Sequence, residues 1–236
     1  LRAFRSLKKT SIAGVNVTLP LKALAFEAAD ERTEDAQKLG VANCLYKRNG
    51  KLIAHNTDLE GFAAPLIKKI GAKELSSATV LIIGAGGAAR AVIGALLSLA
   101  VPEIRITNRT DAKAIALTEM VDLPNIYMVP WIDRNESLRS ADIIINASAG
   151  GMSGKPALDI NLSGAMSSAF VYDLIYTPQN TPLLRAAKAR KLQTLGGLEM
   201  LIAQAVPSFK LFYEADVPKD TNPREVLISA LKSGVR

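Results

Sequence analysis

The sequence predicts an α/β protein of two lobes, one of them a doubly wound parallel sheet, and three observations lead there. From residue 78 onward, short β-rich runs alternate with apolar helical stretches, the pattern that builds right-handed βαβ units and parallel sheets. A glycine cluster, Gly84 to Gly87, joins the first of those runs to a helix. Residues 1–75 lack the alternation and mix short strands with helices, as a smaller α/β lobe does.

The totals agree with a cored globular protein. The chain has 236 residues, 49% of them hydrophobic, and a mean hydropathy of +0.17, which sets aside disordered and fibrous classes. The net charge of +7 comes from basic residues spread along the chain rather than gathered in an arm. With 5% aromatics there is little to stack bases on, so a small anionic ligand is expected and a nucleic-acid partner is not. The single cysteine, Cys44, has no partner for an internal disulfide and suits a reducing, cytoplasmic setting. Residues 80–101 approach the length of a membrane span but contain the glycine cluster and Arg90; they read as a buried strand, turn and helix, and no membrane association is expected. No metal site is expected either.

In the first lobe, residues 14–19 read as a strand and 21–39 as a largely helical stretch. Residues 43–46 and 51–54 form a hairpin around Asn49-Gly50, a strong turn signal between extended runs. A helix should start at Thr57, where "TDLE" is a capping box in which Glu60 reaches back to the cap. Phe62, Leu66, Ile67 and Ile70 follow at helical spacing, with Pro65 expected to bend the helix. In the second lobe the expected strands are 79–83, 103–107, 126–129, 142–146 and 170–174, and the helices 88–99, 111–120 and 181–190. Residues 197–213 and the last dozen read as helices returning to the first lobe. The expected division is 1–75, 76–205 and 206–236.

In "TVLIIGAGGAARA" the spacing of Gly84, Gly86 and Ala89 is that of a dinucleotide-binding turn. The first glycine makes the bend, the second admits the pyrophosphate, and the small third residue lets helix and strand pack closely. The free amides at the helix start suit phosphate. Alone, the same glycines suit a bare tight turn. The strand that follows ends in Asn108-Arg109-Thr110, with Lys113 one turn on, where an NAD site carries Asp or Glu for the ribose hydroxyls. A guanidinium grips a 2′-phosphate that a carboxylate would repel. The cofactor expected of this Rossmann-type lobe is therefore NADP rather than NAD.

In "GVNVTLPLK", Lys22 stands two residues after Pro20, near the first turn of a helix. A cation there opposes the helix dipole, and with partial desolvation its pKa should fall, which an acid–base lysine needs. Alone, Lys22 also reads as a surface residue, Asp58 in "HNTDLEG" as a favourable first-turn charge, and Asn56 and Thr57 as caps.

Together, "NVTLPLK", "GVANC", "HNTDLEG", "GAGGAARA", "TNRT", "NASAGGMSG", "YDLIY" and "GGLEMLIAQA" closely resemble the shikimate dehydrogenase family in order and spacing over essentially the whole chain. The resemblance implies reversible, NADP-dependent reduction of 3-dehydroshikimate to shikimate in aromatic amino acid (chorismate) biosynthesis, by a monomer or homodimer. It implies a small substrate lobe and an NADP lobe, with Lys22 as the acid–base group and Asp58 orienting substrate and lysine. It places substrate contacts at Thr18, Asn43, Asp58, Tyr176 and Gln204. Cofactor contacts fall at Gly84, Ala85, Gly86, Gly87, Ala88, Asn108, Arg109, Thr110, Lys113, Ser148, Leu174 and Gly197, with Met152 and Met200 on the nicotinamide side. A quinate/shikimate dehydrogenase of broader specificity and a non-catalytic NADP-binding relative are the alternatives.

Three residues depart from the family pattern: Cys44 where threonine is usual, Glu199 where a glycine is usual, and Pro207 within the last long helix. The family's serine motif, which binds the substrate carboxylate and precedes "NVTLPLK", is not in this sequence, so the first lobe is expected to be N-terminally incomplete.

Overall fold

The computed structural model describes residues 1–18 and 20–233. The chain divides into two compact units, residues 1–57 with 201–236, and residues 58–200. The first division falls at 57/58 rather than at the expected 75/76, and the second at 200/201 rather than at the expected 205/206, both of the latter lying inside the helix 197–213.

Unit 1 opens with α1 (Arg2–Ser6), β1 (Gly14–Asn16) and α2 (Lys22–Ala28). Of the expected strand 14–19, Leu19 lies outside the described residues. The expected continuous helix over 21–39 is interrupted, because β2 (Glu31–Arg32) comes before α3 (Glu34–Leu39). Three bonds pull residues 30–33 out of helix. The Asp30 N–H donates to Leu52 O at 2.8 Å, the Thr33 N–H to Ala54 O at 2.9 Å, and Asp30 Oδ2 accepts from Leu52 N at 2.9 Å. Thr33 then caps α3, and Gly40, at φ +64°, ends it in the left-handed conformation.

The expected hairpin is present as β3 (Cys44–Arg48) and β4 (Lys51–His55). Asn49 and Gly50 turn at φ +52° and +73°, the two positive angles of the hairpin turn that Asn-Gly favours. The sheet order is β1-β3-β4-β2, with β2 parallel to β4 and the other pairs antiparallel. Val17, Ala25, Ala36, Leu45, Leu52 and Ala54 close its core.

Unit 2 begins with α4 (Asp58–Ile70) and α5 (Ala72–Leu75), and α4 runs through Pro65. Then come β5 (Thr79–Ile83), α6 (Gly87–Ser98), β6 (Glu103–Thr107), α7 (Asp111–Val121), β7 (Ile126–Met128), β8 (Ile143–Asn146), β9 (Phe170–Asp173), α8 (Pro182–Ala189) and β10 (Gln193–Gly196). Helix α9 (Gly197–Tyr213) starts here and contains Pro207; α10 (Pro223–Ser233) follows it. Among the described residues no helix is long and apolar enough to cross a membrane.

All six strands of this sheet are parallel, in the order β10-β9-β8-β5-β6-β7. From β5 the chain builds outward through β6 and β7, then returns to β8 on the other side. This reversal is the switch point at which doubly wound sheets bind ligands. Alternate residues serve the two faces. Val80, Ile82, Ile104, Ile106, Ile143 and Ile145 pack with helices α4, α6 and α7. Leu81, Ile83, Ile144 and Val171 pack with Leu183, Leu184 and Ala187 of α8. Helices on both faces explain why these strands are continuously apolar. The strand β10 escaped the sequence reading because Gln193-Thr194-Leu195-Gly196 is short, and only its pairing to β9 holds it extended.

Helix α4 belongs to unit 2 because Phe62 and Leu66 are fully buried in its core, and the Phe62 ring stacks on Tyr172 at 5.2 Å. Replacing Phe62 by alanine should therefore destabilise unit 2 by about 3–5 kcal/mol. Urea unfolding followed by far-UV circular dichroism measures this, and a midpoint equal to wild type would contradict the packing.

Candidate active site

The first candidate site is built at the carboxyl ends of β5, β6 and β8. Gly84 sits at φ +117°, and a Cβ there would lie 2.9 Å from the backbone of Ala147 and Ser148, so glycine is required both for the angle and for the approach of the two loops. The Gly84 N–H donates to Thr107 O at 2.8 Å, and the Ala147 N–H to Ile83 O at 2.9 Å, locking the turn to both neighbouring strands. Gly86, at the start of α6, has open space where a Cβ would stand.

A pocket of about 250 Å³ lies on these loops, lined by Gly84, Asn108, Arg109, Thr110, Lys113 and Ser148 among the expected residues. Ala85, Gly86, Gly87, Ala88, Leu174 and Gly197 are not part of its lining. Leu174 and Gly197 are brought together elsewhere in unit 2: a Cβ on Gly197 would stand 2.1 Å from Leu174 O, so this backbone contact requires glycine. Of the methionines expected near the nicotinamide, Met152 is exposed and Met200 packs against the core.

The pocket also contains residues the sequence reading missed: Trp131, Gly150, Lys155, Leu158 and Asp159. Among the described residues Arg109 and Lys113 have no carboxylate partner, while Asp159 is paired with Arg134 at 2.5 Å. Unneutralised cations beside an open glycine turn and a helix N-terminus fit a phosphorylated dinucleotide.

A buried polar network shapes the loops after β8 and β9. Asp173 is fully buried and accepts from Thr181 Oγ1 at 2.6 Å, Ile175 N at 3.1 Å and Asn146 Nδ2 at 2.9 Å. Asn146 in turn accepts from the backbone and hydroxyl of Ser148 at 3.0 and 2.7 Å and donates to Gly150 O at 3.1 Å. Burial raises the Asp173 carboxyl above its ordinary value, opposed by its three donors. Both residues stand in quoted motifs, "YDLIY" and "NASAGG", but nothing local shows that they bond across 27 positions.

Unit 1 gathers a second set. Buried Asn43 is central: its Nδ2 donates to Thr57 Oγ1 at 3.0 Å and to Gln204 Oε1 at 3.1 Å, and its Oδ1 accepts from Thr57 N at 2.8 Å. Ser208 adds a hydrogen bond to Asn16 Oδ1 at 2.8 Å. The Val17 N–H donates to Asn43 O at 2.7 Å and the Ala42 N–H to Lys22 O at 3.0 Å, bringing "NVTLPLK" beside "GVANC". Lys22 is half-buried at the first position of α2, Thr18 is exposed, and Asp58, the first residue of α4 in unit 2, is buried. Tyr176, also in unit 2, is 43% exposed. Not expected from the sequence were Thr57 as a partner of Asn43 and Ser208 as a partner of Asn16 and Thr57. Cys44, next to it, is buried, and burial pushes its thiol up to about 12, partly offset by a hydrogen bond with Ser208.

Comparison with known proteins identifies the family. Residues 66–154 match the family described as shikimate / quinate 5-dehydrogenase, and residues 2–45 match the shikimate dehydrogenase substrate binding domain. A shikimate dehydrogenase (NADP(+)) of Azorhizobium caulinodans is 38% identical over 97% of this chain and 81% of its own length. The chain belongs to the shikimate dehydrogenase family. Among solved structures, quinate dehydrogenase from Corynebacterium glutamicum in complex with NAD superposes with a TM-score of 0.86 at 29% identity, covering 97% of this chain and 82% of that one. Shikimate 5-dehydrogenase from Thermus thermophilus in complex with NADP(H) and shikimate gives 0.81 at 30%, covering 98% and 83%.

Two predictions follow from the buried groups of this family member. Asp173→Ala should cost at least about 3 kcal/mol, because three buried donors lose their acceptor. Asp173→Asn should cost less, since its one oxygen still serves two of them. With the folded carboxyl raised, the stability it contributes is full at low pH and is lost as pH rises through the folded pKa. The wild-type margin over Asp173→Asn should therefore shrink as pH rises, measured by urea titration across the acid range. For Cys44, a disulfide reagent at about pH 8 should react at least about tenfold more slowly than with free cysteine. Reaction should appear with unfolding in urea; rapid labelling of the native protein would contradict the burial.

Proposed function

We propose that this chain catalyses the reversible, NADPH-dependent reduction of 3-dehydroshikimate to shikimate in aromatic amino acid (chorismate) biosynthesis. Unit 2 holds the dinucleotide and unit 1 carries most of the substrate contacts. The observation behind this reading is the pocket at the switch point, where Arg109 and Lys113 stand without carboxylate partners among the described residues, in place of the acidic residue of an NAD site. Gly84 to Ala88 with the start of α6 receive the pyrophosphate, and Asn108, Arg109, Thr110 and Lys113 the 2′-phosphorylated ribose. Ser148, Leu174 and Gly197 complete the cofactor contacts.

When bound, NADPH supplies the hydride for the ring ketone. Reduction develops negative charge on the ketone oxygen, which the Lys22 ammonium stabilises and then protonates; in the reverse direction the same amine accepts the alcohol proton. Asp58 orients substrate and lysine and balances the local charge. Thr18, Asn43, Tyr176 and Gln204 hydrogen-bond the ring hydroxyls and carboxylate. The hydrogen bonds that Thr57 and Gln204 make with Asn43 hold its amide in one orientation, so little order remains to be imposed when substrate arrives. A cytoplasmic enzyme, monomer or homodimer, completes the reading, and the lone reduced Cys44 suits that setting.

The likeness to the quinate dehydrogenase of C. glutamicum supports a second reading, a quinate/shikimate dehydrogenase of broader specificity. One assay separates them: reduced nicotinamide formation with shikimate or quinate, each with NADP or NAD. Shikimate with NADP should give the largest kcat/KM. Lys22→Ala should lower kcat by about 100- to 10,000-fold while leaving the NADP dissociation constant close to wild type. Normal turnover in that variant removes Lys22 from the mechanism, and no turnover by wild type on any pair leaves only a non-catalytic NADP-binding relative.

A further inference from the structure

We propose that Lys155 is a third cation of the cofactor pocket and, with Arg109 and Lys113, sets the preference for a 2′-phosphorylated dinucleotide. The proposal rests on the assignment of this pocket to NADP. All three side chains line the same cavity of about 250 Å³, though Lys155 lies 46 and 42 positions away from the other two in sequence. None of the three is ion-paired among the described residues. Among the described residues only one carboxylate, Asp159, shares the cavity, and it is engaged by the Arg134 guanidinium, which also donates to the Asp159 backbone oxygen at 2.8 Å.

The loop that presents Lys155 is held rather than loose. The Gly151 N–H donates to Pro156 O at 2.7 Å, the Lys155 N–H to Met152 O at 2.9 Å, and the Ser153 N–H to Thr177 O at 3.0 Å. Trp131 also lines the cavity and adds an aromatic side chain to it. Its backbone N–H donates to Asp111 Oδ1 at 3.0 Å, and Arg134 stacks on its ring at 4.6 Å. The cavity thus offers an aromatic side chain for a base and three ammonium or guanidinium groups for a dianion. A 2′-hydroxyl would leave those cations without a counter-charge, so their effect is selective for the phosphorylated ribose.

Calorimetric titration of the purified chain with NADP+ and with NAD+ tests this on wild type, Lys155→Ala, Lys155→Arg and Arg109→Ala. Lys155 is exposed, so Lys155→Ala should fold. It should weaken NADP+ about tenfold and change NAD+ by less than about twofold, with Lys155→Arg restoring most of the loss. The NADP+ penalty should shrink as salt is raised, because an exposed charge pair is screened. Equal changes for both dinucleotides, or none, would overturn the role of Lys155. If Arg109→Ala still discriminates against NADP+ in that case, the pocket assignment stands without Lys155; if neither variant acts selectively, both fall.

Discussion

The close backbone approach at Gly84 is the constraint on which the rest of unit 2 depends. The residue must turn at φ +117° while the backbone of Ala147 and Ser148 passes at contact distance. Only a residue without Cβ satisfies both demands. That approach brings the loop after β8 against the turn after β5, across the point where strand order reverses. Without it the two halves of the sheet would still pair, but their loops would not share a cavity. The locking bonds from Gly84 to Thr107 and from Ala147 to Ile83 show the same economy: each loop begins by finishing a neighbour's ladder.

Charge is then distributed by burial. Asp173 is out of solvent and is held by three donors, so its carboxyl serves to shape two loops. The pocket cations are exposed and, among the described residues, unpaired, so their charge is available to a ligand. Asp159 would reduce that availability, and Arg134 removes it from play. Unit 1 follows a neutral version of the same rule, in which Asn43, Thr57 and Gln204 satisfy one another and keep amide and hydroxyl groups oriented in a buried setting.

Much of unit 2 was legible in the sequence because its strands are buried on both faces. Runs such as Thr79–Ile83 and Glu103–Thr107 are marked by composition, and their ends coincide with the expected ones. The helix 197–213 was also legible through Pro207, since apolar periodicity continues past it. The break in the expected helix over 21–39 was not, because residues 30–33 are held extended by β4, a partner 21 to 22 positions away. The same holds for β10, whose extended state comes from β9. Helix α4 was read correctly as a helix and placed in the wrong unit. Its periodicity shows an apolar face but does not say which core receives it, and Phe62 stacking on Tyr172 decides that.

By itself, the sequence determined the alternation of strands and helices, the glycine turn, the basic residues after β6 and the motifs that mark the family. All of these are local features, written in spacing over a few residues, where backbone sterics and hydrophobic periodicity act directly. Only the tertiary structure decided which distant groups meet. It set Asn43 against Gln204 across 161 positions, tied Asn146 to Asp173, and brought Trp131 and Lys155 to the pocket of Arg109. Such pairs have no local signature, because their meeting depends on strand register and loop closure over the whole chain.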